Sequence, residues 1–186
     1  LTAMTTGGNN VAVGYQSLEA CTTGKRNTAI GYQTLKANMN VGDNNTAVGH
    51  SALYTLNPDS DDHGENTAVG SLSGYYMTTG TGNTCIGYAS TATGANNLLT
   101  GDNNTVIGAN AESGNSAASN RLVLGYGATG DGDNSVVLGN SDVDNVYMSE
   151  DHEATVHCGG VTPASDNART LGTAAIRWAD VFAVQT

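Results

Sequence analysis

The sequence predicts an all-β fold, a parallel β-roll or solenoid of about eight short coils, on three observations. A six-residue unit recurs along most of the chain, the same side-chain class returns at the same place in each copy, and the composition is too thin for a conventional core. The unit is Asn27-Thr28-Ala29-Ile30-Gly31-Tyr32, repeated as Asn45–His50, Asn66–Ser71 and Asn83–Tyr88, with a first copy at Asn10–Tyr15. Drifted copies follow at Asn104–Gly108, Asn120–Gly125 and Asn134–Gly139. Their glycines are Gly14, Gly31, Gly49, Gly70, Gly87, Gly108, Gly125 and Gly139, separated by 14 to 21 residues. Self-similarity at so short a period marks a repeat array.

Numbered from the glycine as position 0, each coil can be justified in turn. Position −1 is a branched aliphatic in every copy: Val13, Ile30, Val48, Val69, Ile86, Ile107, Leu124 and Leu138. Position −3 is Val11, then Thr28, Thr46, Thr67, Thr84 and Thr105, then Leu122 and Val136. Position −2 is Ala12, Ala29, Ala47, Ala68 and Cys85, changing to Val106, Val123 and Val137. Period-two alternation with β-branched residues predicts a strand. Strands this short are unstable alone and gain stability by stacking in parallel on their neighbours. The aliphatics at −1 are expected to form the interior ladder. The threonines share their parity and are expected inside as well. That placement argues against an ice-binding surface, the third function class the threonine file brings to mind.

The glycine predicts a tight bend or close backbone approach. Asparagine at −4 or −5 predicts a corner, since it tolerates the left-handed region, and stacked copies could form amide ladders. After the glycine, Tyr15–Leu18, Tyr32–Leu35 and His50–Leu53 predict a second short strand with a leucine file at +4. A coil this small encloses one or two side chains, so the alanine and leucine rows cannot all point inward. The leftover apolar faces predict a closed oligomer, with a threefold bundle as one solution.

Composition narrows the function. Charged residues are 12% of the chain, below the roughly 25% of average domains. The formal net charge of −11 argues against nucleic acid and anionic membranes as partners. No stretch is long and apolar enough to predict membrane insertion. Cys21, Cys85 and Cys158 are scattered, which fits neither a disulfide framework nor a zinc site, and Cys85 reads as a small buried filler. The opening at Leu1 reads as a piece of a longer protein.

The N-x-[ST]-[AV]-[AVI]-G repeats resemble the head repeats of trimeric autotransporter adhesins, over residues 9 to about 140. That resemblance implies a left-handed parallel β-roll assembled as a homotrimer. The longer N-T-A-[VI]-G-[YH] copies of residues 10 to 90 look more like the roll repeats of long phage tail fibres. Downstream, Asp166 to Ala183 carries the pattern D-N-x-x-x-L-G-[ST]-x-x-x-R-W-x-D-[VI]-[FY]. It resembles the tail-fibre and tailspike segment ahead of an intramolecular chaperone, which implies a C-terminal chaperone domain removed after assembly. Residues 1–148 are thus expected to form the roll and 149–186 a C-terminal trimer tip, with Trp178 and Phe182 knitting the chains together.

Catalysis is not expected. No Ser-His-Asp set, phosphate-binding loop or distinctive carboxylate pair is recognisable. His152-Glu153-Ala154-Thr155-Val156-His157 has the wrong spacing for a helical zinc pair, and Asp131-Gly132-Asp133-Asn134 and Asp142-Val143-Asp144-Asn145 lack the calcium-loop glutamate. No cofactor or metal is assigned. Binding is the better expectation. Tyr15, Tyr32, His50, Tyr88 and Tyr126 at +1 form an aromatic column suited to sugars or, more plainly, to stacking on itself. The long connections Tyr54 to Glu65, Thr91 to Asp102 and Glu112 to Ser119 are the other candidates. Candidate receptor contacts are Tyr54, Asn57, Asp59, Asp61, Asp62 and His63, with Tyr15, Tyr32 and Tyr88. The expected role is attachment to a host-surface glycan or protein, as part of a virion fibre. The alternative is a bacterial adhesin head at the cell surface.

Overall fold

The computed structural model describes residues 3–37, 42–58, 64–94 and 97–147. The chain divides into two units, Leu1–Val146 and Tyr147–Thr186, and all described strands belong to the first. The described residues form eight strands of three residues: β1 (Val11–Val13), β2 (Thr28–Ile30), β3 (Thr46–Val48), β4 (Thr67–Val69), β5 (Thr84–Ile86), β6 (Thr105–Ile107), β7 (Leu122–Leu124) and β8 (Val136–Leu138). They form one parallel sheet in chain order, each strand paired in the same register with the next. This is a β-solenoid, with one coil per repeat.

Each coil has one strand, not the two expected. The stretch after the glycine cannot be a strand because positions +2 and +4 have left-handed φ: +54° and +49° at Gln16 and Leu18, +54° and +48° at Gln33 and Leu35. A strand requires φ near −120° throughout. Coil-to-coil bonding continues across these turns nonetheless. Gly31 N–H donates to Val13 O at 2.7 Å, Gln33 N–H to Tyr15 O at 2.8 Å and Leu35 N–H to Ala52 O at 3.1 Å. The turns therefore stack as tightly as the strands.

The parity of the strand is the reverse of the expectation. Position −2 is the buried one, with Ala29, Ala47, Ala68, Val106 and Val123 at 0% exposure, and position −1 faces outward, with Val13 at 56% and Ile30 at 39%. Thr28, Thr46, Thr67, Thr84 and Thr105 are only part-buried on that same outer face. The cause is room. Leu18, Leu35 and Leu53 at +4 are fully buried, with Cys21, Leu56 and Met77 at +7, so only a methyl fits opposite them. In the coils of Gly108 and Gly125, where +4 is Glu112 and Thr129, −2 is valine; in those of Gly70 and Gly87, where +4 is Gly74 and Thr91, it stays Ala68 and Cys85. Val106 and Val123 pack with Ala111 and Ala128 as a second core.

The glycine file behaves as expected. A Cβ on Gly49, whose φ is +131°, would lie 2.6 Å from Gly70 O. At Gly74, which stands at +4 in its coil, a Cβ would lie 2.7 Å from Leu53 Cδ2.

Asparagine's two expected roles fall on neighbouring positions. The −5 residues Asn9, Arg26, Asn44, Glu65, Asn103, Asn120 and Asn134 take φ between +53° and +61°. The −4 residues Asn27, Asn45, Asn66, Asn83 and Asn104 are fully buried. Asn66 shows the pattern. Its Nδ2 donates to Asn45 Oδ1 at 3.1 Å and to Gly80 O at 2.8 Å, while its Oδ1 accepts from Asn83 N–H at 3.0 Å and Asn83 Nδ2 at 3.2 Å. The seventh copy corrects the alignment: Asn120 is the corner, and Arg121 occupies the ladder slot. Arg121 N–H donates to Asn104 Oδ1 at 3.1 Å, and its guanidinium ends the ladder on Ser113 O and Asp133 Oδ1, both Nη bonds within 2.7 Å.

Asp133, from the segment that lacks the calcium-loop glutamate, thus has a structural part as the Arg121 partner. Its carboxyl is held below the usual carboxylate range by the Ser119 N–H and then by Arg121. Asp43 and Asp102 likewise accept the N–H of Lys25 and Thr81 one coil back. Two predictions follow from these contacts. Asn66→Ala strands the Asn83 N–H and Gly80 carbonyl inside the roll and should cost about 2–4 kcal/mol in denaturant unfolding; a loss within roughly 0.5 kcal/mol would remove the ladder from the stability argument. Because Asp133 has a lowered folded pKa, its stabilisation is complete above the ordinary carboxylate value and fades as pH falls through the folded one. Amide exchange of Leu122–Leu124 should therefore accelerate below about pH 4 relative to Thr67–Val69, and Asp133→Asn should abolish that pH dependence.

Candidate aromatic binding cleft

The expected aromatic column at +1 exists in part. Tyr15 stacks on Tyr32 with centroids 5.5 Å apart, and Tyr32 on His50 at 5.2 Å and 8° between planes. It stops there, because the next +1 residue is Ser71. Tyr88 and Tyr126 project into solvent and make no ring contact with described residues. Stacking at one ring per coil follows directly from register, since parallel in-register strands repeat every 4.7–4.9 Å.

A second column at +5 was not anticipated as such. Tyr54 stacks on Tyr75 at 4.9 Å and 7°, and Tyr76 meets Tyr75 edge-on at 4.8 Å and 77°. Lys36, one coil earlier in the same file, places its ammonium 5.8 Å from the Tyr54 centroid, in cation–π range. Aligning the copies on +5 would have revealed this file from sequence, as Lys36, Tyr54 and Tyr75 all lie five residues past a repeat glycine. Tyr76 lies one residue further on, at +6, and no repeat pattern announces it.

Between the columns lies a cleft of about 280 Å³, lined by Gln33, His50, Ser51, Leu72, Tyr75, Tyr76 and Ala92. Four successive coils contribute. The lining carries no carboxylate and no ammonium. Gln33 gives one Nε2 proton to Gln16 Oε1 at 2.6 Å, and no described protein group occupies its own Oε1. Ser51 is 2% exposed, yet its hydroxyl bonds no described residue. The matching turn residues one place on behave differently: Ser17, Ser73 and Ser90 all reach backbone carbonyls at 2.7–3.0 Å.

Of the residues expected to contact a receptor, Tyr32 joins the ring file that flanks this cleft through His50, and Tyr54 backs Tyr75 in the other. Tyr15 sits at the far end of the first file, and Tyr88 lies apart from both stacked files. Asn57 is exposed and its N–H is held by Thr78 O at 2.8 Å. Asp59, Asp61, Asp62 and His63 lie outside the described residues, as do Trp178, Phe182, the His152–His157 pair and Cys158. Cys85 is the buried filler expected, its thiol pushed up to about 11 by burial. Among the described residues, no group of three His, Cys, Asp or Glu is placed to hold a metal ion, and no helix is long and apolar enough to cross a membrane.

The lone hydroxyl yields a test. The Ser51 hydroxyl bonds no described residue and is not sealed from solvent, so Ser51→Ala should leave stability within about 0.5 kcal/mol of the wild type. A loss greater than that in thermal unfolding would mean the hydroxyl has a structural partner. Comparison with family models, with curated proteins and with solved structures returns no match for this chain.

Proposed function

We propose that this chain is the coiled segment of a homotrimeric attachment fibre, of the kind found in phage tail fibres, that binds a cell surface without chemical turnover. The observation that carries the reading is the outer face of the sheet. Val13, Ile30, Val69 and Leu138 stand in a straight file with 38–56% of their surface exposed in the single chain. Val48, Ile86, Ile107 and Leu124 complete the file, beside the threonines at −3. A soluble chain rarely leaves so regular an aliphatic stripe bare. Its regularity also favours its own copy as partner, because a file repeating once per coil meets an identical file in the same register along its whole length. The count of three and the place in a virion come from the resemblance of the repeats and of Asp166–Ala183. Three equivalent clefts on one rigid rod would bind a repetitive surface by avidity.

A second reading has one observation in its favour. Thr28, Thr46, Thr67, Thr84 and Thr105 face outward beside the aliphatic file, which removes the argument that set an ice-binding surface aside. That role requires a bare face; a trimer covers it.

One pair of measurements separates them. Light scattering after size exclusion should give about three times 18.8 kDa for the wild type and one chain for Ile86→Glu, with the β-sheet circular dichroism retained. Thermal hysteresis should then be absent in the trimer. A wild-type monomer with hysteresis would replace the fibre reading with the second one.

A further inference from the structure

We infer that the cleft between the two ring files is a binding site for a neutral pyranoside unit of a surface polysaccharide. The inference deepens the attachment role proposed above and rests on it for the choice of a surface glycan as ligand.

The first argument is where the ring files end. Tyr32–His50 stops because Ser71 follows, and Tyr54–Tyr75 stops because Ala92 follows. Both ends fall in adjoining coils, and His50, Tyr75 and Ala92 all line the same cleft. In-register stacking prepares a place for one more flat ring where the chain supplies none. A pyranose presents an apolar C–H face of suitable size to an aromatic ring, and Tyr76, 44% exposed, adds an edge-on wall. The volume of about 280 Å³ lies just below the usual range of small-ligand sites and suits one sugar ring rather than a long oligosaccharide.

Ser51 adds polar chemistry to the rings: the residue is nearly buried and lines the cleft, and its hydroxyl bonds no described residue and is not sealed from solvent. Ordinary packing would place alanine there at no loss, as Ala52 does at the next position. With the Gln33 amide, it offers a donor and acceptors to the hydroxyl rim of a sugar, the kind of sparse convergent polar set that orients a ligand in an otherwise apolar pocket.

Charge selects the sugar class. No cationic side chain lines the cleft, and the chain carries −11 overall, so uronic and sialic acids meet repulsion without compensation. No carboxylate lines it either, so an ammonium group finds no counter-ion. A neutral hexose or N-acetylhexosamine is left.

The test is saturation-transfer NMR on the whole chain with methyl glucoside, methyl galactoside and methyl N-acetylglucosaminide, against sialic acid and glycine betaine. At least one neutral glycoside should show saturable transfer concentrated on its C–H face. Tyr76→Ala should weaken it roughly tenfold, and Tyr126→Ala, a ring remote in the repeat series, should leave it unchanged. Ser51→Ala should weaken binding while the fold keeps its stability, a combination that misfolding cannot produce. No saturable neutral ligand with a dissociation constant below about 10 mM, preference for sialic acid or betaine, or indifference to Tyr76→Ala and Ser51→Ala would each overturn the inference. Light scattering on the same samples keeps the two proposals apart. A monomer that binds the glycoside rejects the trimer and retains the cleft, and a trimer that binds none does the reverse.

Discussion

Register is the constraint on which everything else in this structure depends, and the buried asparagine ladder does most to hold it. A strand of three residues has too few ladder bonds to resist slipping, and a slip of one residue would exchange its faces. Each −4 amide forbids that slip, because it must meet the amide of the coil before, the amide of the coil after, and a corner carbonyl at once. Burial makes any unmet group costly. The glycine file adds a steric version of the same rule, since only a residue without Cβ lets adjoining turns approach this closely. Once six asparagines and eight glycines are aligned, every other position becomes a file.

Those files explain what was legible in the sequence. Repeat period, parallel stacking, the glycine bend and the amide ladder could all be read, because each is a statement about which residues recur. Parity could not be read from alternation alone. Alternation says that −1 and −3 share a face; it does not say which face is inside. The assumption that large branched residues seek the interior holds for a sheet packed on a wide core. It fails where the interior is closed off by Leu18, Leu35 and Leu53 from the same coil. The decisive signal is the smallness of −2 in the coils that carry a +4 leucine, Ala12, Ala29 and Ala47. Ala47 with Leu53 in one coil and Val106 with Ala111 in another fill the interior from different positions, visible only when the positions are taken as one cavity.

The cleft was less legible for a related reason. The sequence marks Tyr15 and Tyr32 as an aromatic column and Tyr54 as the start of a long connection, but the site is formed where the aromatic files stop, at Ser71 and Ala92. An ending is defined by the residue that breaks a pattern, and repeat reading attends to the residues that keep it. Ser51 was invisible for another reason. A serine in a polar turn is unremarkable by sequence, and only its burial and its lack of a partner distinguish it from Ser17, Ser73 and Ser90.

A solenoid gives up the deep core that lets a globular domain build a pocket, so its recognition surfaces have to come from the outside of the coils. Here two outer faces diverge in character. The strand face runs uninterrupted from Val13 to Leu138 as an aliphatic file beside a file made mostly of threonines, which suits an identical neighbour whose own files repeat at the same interval. The turn face is interrupted, with rings in some coils and Ser71, Ala92 or Ala109 in others, which suits a ligand of finite size at a particular coil. Uniformity extends an interface along the rod, whereas a break in uniformity localises a site. The same in-register ladder provides both, since it makes the strand face continuous and sets the rings of the turn face at a spacing into which one more ring can fit.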